Sequence, residues 1–223
     1  MNDDWYRNTR WNEQIEIEFE QRFEKTRSDY NKAEYLRIQA NYLLNSSSDK
    51  EQKIGLVLID RLFDSFPEQI QSIMLANEIL GNYFFKHQSY IKAEEYLRKV
   101  VSYYHEVSRE GTSGIADLKL CELILQTEQK MKYQEAKEIA TNKFGKSGGE
   151  LILAEDKFYH AYICANLFYE LGEFSEASLY ATNAINIIDN LRSDQSKNII
   201  VGQLKVSNAQ IEVLRTIKMQ SDL

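Results

Sequence analysis

Three histidines, two cysteines and one glycine-containing loop are the residues of this chain with a bearing on catalysis or metal binding. Zinc sites are built from motifs such as HExxH or paired cysteines, and neither spacing accompanies His87, His105 or His160. A cysteine nucleophile needs a basic neighbour that stabilises the thiolate. Cys121 has none nearby in sequence, and Cys164 falls in an apolar stripe, where a thiol packs as a small hydrophobe. Ala140-x4-Gly145-Lys146-Ser147 matches a permissive phosphate-loop pattern. That chemistry needs a buried strand before the loop, whereas 133–143 has helical spacing. Gly145 therefore reads as a helix C-cap, with Lys143 and Lys146 near the negative helix end. The acidic groups Glu94-Glu95 and Glu16, Glu18, Glu20 read as exposed helix faces. These residues lead us to expect no enzyme, no metal and no cofactor.

The elements that position them are helices. One proline and nine glycines in 223 residues are too few for the turns of a sandwich or barrel. With 43% hydrophobic residues the chain can bury a sizeable core. No apolar run approaches the roughly 18 residues that span a bilayer. Met1 to Trp11 is polar and charged, unlike a signal peptide. Two cysteines do not make a disulfide framework, so a reducing cytoplasm is the expected location. The net charge of −7 and the lack of a basic stripe argue against nucleic acid as a partner.

Apolar residues at Trp11, Ile15, Phe19 and Phe23 mark a first helix. Helical spacing continues through Tyr35, Ile38 and Tyr42 until the Asn45–Asp49 turn. The next helix carries Leu56, Ile59 and Leu62 and ends near Pro67, as a proline requires. Further pairs are predicted at 68–87 with 90–107, 118–129 with 133–143, and 151–169 with 175–191. A last helix is predicted over 197–219.

Leu80, Gly81, Phe84, Ala93, Leu97 and Val100 recur in register as Cys164, Ala165, Phe168, Ala177, Ala181 and Ala184. With the turn Leu171-Gly172-Glu173-Phe174-Ser175-Glu176-Ala177, this spacing resembles the tetratricopeptide repeat (TPR) family. The family's 34-residue unit places repeats at about 36–69, 74–107, 117–150 and 158–191. Gly55, Thr127 and Lys143 depart from its pattern. The resemblance implies one all-α domain over 1–223, a superhelical solenoid of antiparallel hairpins. Helices at about 11–30 and 197–219 would cap its ends. Alanine at 93, 136 and 177 marks where helix pairs approach closely.

The resemblance also places one stripe of each first helix on a concave wall. That stripe reads Glu78, Asn82, Phe85; then Cys121, Leu125, Glu128; then Tyr162, Asn166, Tyr169. Asparagine can donate to and accept from an extended peptide backbone, and aromatic rings offer flat apolar contact. The competing reading packs those rings inside the fold. Glu78 and Glu128 would favour a neutral or basic segment. The expected function is a non-catalytic scaffold that binds a protein or peptide in this groove. A peptide-sensing regulator and an accessory subunit of an enzyme complex are the alternatives. Trp5, Tyr6 and Trp11, with Arg7 and Arg10, either form a capping staple onto the first hairpin or dock a partner or second copy.

Overall fold

A computed structural model describes residues 4–107, 109, 112–144, 151–193 and 206–220. These residues form ten α-helices and no strand. The chain divides into two compact units, Met1–Gly114 and Ile115–Leu223.

The amino-terminal unit holds α1 (Glu13–Lys25), α2 (Asp29–Leu44), α3 (Asp49–Ser65), α4 (Ile70–Lys86) and α5 (Tyr90–Glu106). Helix α1 starts where the Asn12 side chain accepts the Ile15 N–H at 2.9 Å. Acidic residues in its first turn and basic ones in its last complement the helix dipole. The expected cap over 11–30 is interrupted: α1 ends at Lys25, and Thr26 is extended. Ser28 then accepts the Asn31 N–H and starts α2, so 29–30 belong to the next helix. Pro67 follows the end of α3, as expected.

Helices pair with their chain neighbours, α2 with α3 and α4 with α5. Leu36, Leu43, Ile59 and Leu62 are fully buried in the core that these pairs share with α1. The helices meet most closely at two glycines. A β-carbon on Gly55 would stand 2.8 Å from Leu44 Cγ and 3.1 Å from the Ala40 carbonyl oxygen. Gly55 thus departs from the repeat pattern because α2 leaves no room for a methyl group. Gly81 is held the same way against Leu97, at 2.8 Å.

The Trp5–Tyr6–Trp11 cluster packs onto its own unit. Trp5 lies 5.2 Å from Phe19 and 4.8 Å from Tyr35, Tyr6 lies 4.5 Å from Tyr35, and Trp11 lies 5.5 Å from Phe19, centroid to centroid. Buried Gln39 on α2 fixes the segment before α1. Its Oε1 accepts from the Asn8 backbone and side chain, and its Nε2 donates to the Asn8 carbonyl at 2.7 Å. These contacts fit the staple reading of the cluster.

The carboxy-terminal unit holds α6 (Ala116–Gln126), α7 (Tyr133–Phe144), α8 (Ala154–Glu170), α9 (Phe174–Ser193) and α10 (Asn208–Met219). A 3₁₀ turn at Lys130–Lys132 leads into α7. Helix α6 packs on α7, α8 on α9, and α10 on α9 and α8. The last helix is shorter at its start than expected: Ser207 and Gln210 form a capping box that begins α10 at Asn208. Residues 197–205 of the predicted helix lie outside the described residues. Ala136, Ala165, Ala177, Ala181 and Ala184 are all fully buried, as close helix packing demands.

Three hairpins turn in the same way. Between α4 and α5, Gln88 N–H donates to Phe85 O and Ser89 N–H to Phe84 O. Glu128 and Gln129 donate to Leu125 and Ile124 between α6 and α7, and Gly172 and Glu173 to Tyr169 and Phe168 between α8 and α9. The first donor of each turn is left-handed, with φ of 57°, 51° and 76°. Such turns satisfy the last carbonyls of a helix, and glycine suits the position best. Only Gly172 supplies it.

Candidate functional site

In the amino-terminal unit the predicted wall does not assemble as expected. Glu78 is 5% exposed, and its carboxylate accepts the Ser113 hydroxyl and the Ser113 N–H, the latter at 3.2 Å. A carboxylate committed to a loop in this way leaves little to offer a partner. Asn82 and Phe85 are half-buried on α4. The Phe85 ring packs edge-on to Tyr90 at 6.0 Å, across the turn into α5. Tyr169 makes the same contact with Phe174 at 5.7 Å, across the turn from α8 into α9. The recurring aromatic three residues after each asparagine is thus explained by turn closure.

The carboxy-terminal unit does bring predicted residues together. Leu125, Glu128, Tyr162 and Asn166 line one open cleft of about 470 Å³. Leu125 comes from the last turn of α6, Glu128 from the turn after it, and Tyr162 and Asn166 from successive turns of α8. Their convergence follows from the packing of α6 against α8. Cys121, on the same stripe of α6, is buried instead, with its Sγ 3.2 Å from the Ala136 carbonyl. Its neighbour Glu122 faces the cleft.

Glu122, Gln126, Lys130, Tyr133, Ile163 and Glu170 complete the wall, and the sequence reading did not select them. Tyr133 entered there only as the start of the helix predicted over 133–143, and the 3₁₀ turn that brings in Lys130 has no apolar periodicity to announce it. Three carboxylates against one lysine leave the cleft acidic. Burial raises the pKa of Tyr133, and Glu170 and Glu128 raise it further. Burial likewise raises Tyr162. Both phenols are therefore neutral at physiological pH and keep an O–H to donate. Asn166 donates Nδ2 to the Tyr162 carbonyl at 2.8 Å, so one of its two N–H groups is spent inside α8.

The groups considered for catalysis sit elsewhere. His87 caps α4 beside Tyr83, with Nδ1 2.8 Å from the Tyr83 carbonyl oxygen, and His105 is exposed on α5. His160 and Cys164 form an i,i+4 pair, which neither the HExxH nor the paired-cysteine spacing covers. His160 Nε2 lies 3.1 Å from the Ala140 carbonyl and 3.4 Å from Cys164 Sγ. A carbonyl only accepts, so Nε2 carries the proton and cannot draw one from the thiol. Burial pushes both thiols up, away from thiolate formation at neutral pH. Of the phosphate-loop pattern, Ala140 is a buried α7 residue, whereas Gly145, Lys146 and Ser147 lie outside the described residues. Glu95 pairs with Lys99 on an exposed face of α5, as expected, whereas the Glu94 side chain, which pairs with Arg98, is only 15% exposed. Among the described residues no three His, Cys, Asp or Glu side chains are grouped to hold a metal ion. No described helix is long and apolar enough to cross a membrane.

His160 makes stability depend on pH. Burial lowers its pKa below 6.5, so the unfolded chain binds a proton that the native chain resists. The penalty is absent above about pH 7 and grows as pH falls through the unfolded-state value near 6.5. We expect the urea midpoint of the carboxy-terminal unit to fall between about pH 7.5 and pH 5. His160→Gln, which keeps a side-chain N–H but does not titrate, should flatten that fall. Equal slopes for both proteins would assign the effect to other groups.

In comparison with known proteins, the chain matches no family model, no curated protein and no solved structure.

Proposed function

We propose that this protein is a non-catalytic interaction module of the cytoplasm whose hairpins are TPR-like repeats of a superhelical solenoid. Its carboxy-terminal cleft holds a neutral or basic segment of a protein or peptide partner. Three turns of one geometry and small residues at matching helix contacts support the repeat reading. The cleft carries the functional reading, because Leu125, Glu128, Tyr162 and Asn166 converge there among further carboxylates. Tyr162 and Leu125 offer apolar contact, and the exposed Glu128 and Glu170 steer cationic side chains, while Glu122 accepts the Tyr159 hydroxyl.

Charge reversal at the rim tests this. Glu128 and Glu170 are exposed, so Glu128→Lys with Glu170→Lys should leave the helical spectrum unchanged. Fluorescence anisotropy with arrays of basic, neutral and acidic nonapeptides should show wild type preferring the basic set. In the double variant that preference should fall about tenfold, corresponding to about 1.4 kcal/mol, and the loss should shrink with salt. Tyr162→Ala should weaken neutral and basic peptides alike. Peptide binding with no charge preference, or unchanged in all these variants, would exclude the cleft.

A further inference from the structure

The amino-terminal unit carries a second groove, of about 340 Å³, between α1 and α3. Its apolar surface is exposed Val57 and half-buried Ile54 of α3, with buried Leu58 and Trp11 beneath. Val57 is 63% exposed, although it is aliphatic and lies in the middle of a helix. Ile54, Val57, Leu58 and Arg61 fall at i, i+3, i+4 and i+7, the spacing by which one helix packs on another. Helix α2 packs on α3 as its hairpin partner, and Leu58 joins the core with Ile54 packed on it, yet Val57 stands open in the groove.

The walls of the groove have opposite charge. Glu13 and Glu16 stand on the α1 side and Lys50 on the α3 side. Farther along both helices, Arg61 clasps Glu20 through two bonds of 2.6 and 3.1 Å and joins the walls. An extended chain, with its period of two, would not follow the α3 stripe, whereas a helix would. Charge complementarity then assigns the flanks of that helix.

We propose that this groove docks an amphipathic helix of a partner protein. Its apolar stripe lies on Val57 and the exposed edge of Ile54, with basic residues toward Glu13 and Glu16 and an acidic residue toward Lys50. This surface is independent of the carboxy-terminal cleft.

Two fluorescein-labelled helical 18-residue peptides test it on the full chain. Both carry leucines at i, i+3, i+4 and i+7; one has lysines on one flank and glutamates on the other, and the second has glutamates on both. Wild type should bind the mixed peptide at least tenfold more tightly than the all-glutamate one. Val57→Lys, at an exposed position, should weaken the mixed peptide at least tenfold with the helical spectrum intact. Glu13→Lys with Glu16→Lys should reverse the peptide preference. Glu128→Lys with Glu170→Lys, in the other unit, should change neither affinity. Equal binding of the two peptides to wild type, binding indifferent to Val57→Lys, or no binding at millimolar peptide would each overturn the proposal. A wild-type dimer that Val57→Lys makes monomeric would also overturn it, by giving the groove to a second copy.

Discussion

Arginine in place of Ala177 will abolish the native packing of the α8–α9 hairpin. Ala177 is fully buried in the first turns of α9, where its N–H donates to the Glu173 carbonyl at 3.0 Å. Fully buried Ala165 lies on the facing helix, α8. Overpacking such a contact costs about 1–3 kcal/mol. A guanidinium buried there without a partner adds several kcal/mol more. The sum rivals the whole stability of an ordinary domain, about 5–15 kcal/mol. The protein supplies its own control, because both tryptophans, Trp5 and Trp11, belong to the amino-terminal unit. Circular dichroism should therefore lose a large part of its helical signal at 25 °C, while tryptophan emission keeps its native wavelength. An unchanged melting curve would contradict the packing register. A concerted loss of both signals would mean that the two units unfold as one.

Phe19→Ala should destabilise the amino-terminal unit by about 3–5 kcal/mol, the usual loss for a buried aromatic ring. Phe19 is completely buried and touches Trp5, Trp11 and Phe23, the last at 5.9 Å. Removing the ring opens a cavity where the amino-terminal segment meets α1, and leaves that segment held by the Gln39–Asn8 bonds and by the contacts of Trp5 and Tyr6 with Tyr35. Urea unfolding followed by tryptophan emission should show the lower midpoint, together with a red-shifted native spectrum. A loss below about 1 kcal/mol would mean that neighbouring rings collapse into the space.

The fold was far more legible in the sequence than the site. Helical period, the lone Pro67 and alanines at matching offsets were enough to place the hairpins, because burial writes itself into side-chain type along one chain. Boundaries failed where a cap decides: Ser28 begins a helix through one hydrogen bond and Ser207 through a capping box, and no apolar pattern signals either. The candidate cleft was legible in part. The stripe rule picked out Leu125, Glu128, Tyr162 and Asn166, which line one cleft, and left Phe85 and Tyr169 open between a wall and internal packing; each ring lies against its own turn. It also offered Glu78 to a partner, because nothing local reveals that Ser113, 35 residues onward, claims its carboxylate. Glu122 and Glu170 were missed for a similar reason. Their facing the cleft depends on how α6 and α8 cross, which is a long-range property.

The shared turn makes part of this protein portable. The segment 169–174 spans six residues, brings its own ring contact, and meets the left-handed position with glycine. Residues 85–90 have the same length and hydrogen bonds and an equivalent ring pair, but carry Gln88 at that position. Transplanting Tyr-Glu-Leu-Gly-Glu-Phe over 85–90 would thus preserve the path of the chain while relieving a backbone conformation that L-residues adopt at a penalty of roughly 1 kcal/mol. The hairpins are interchangeable at their corners even where their helices have diverged.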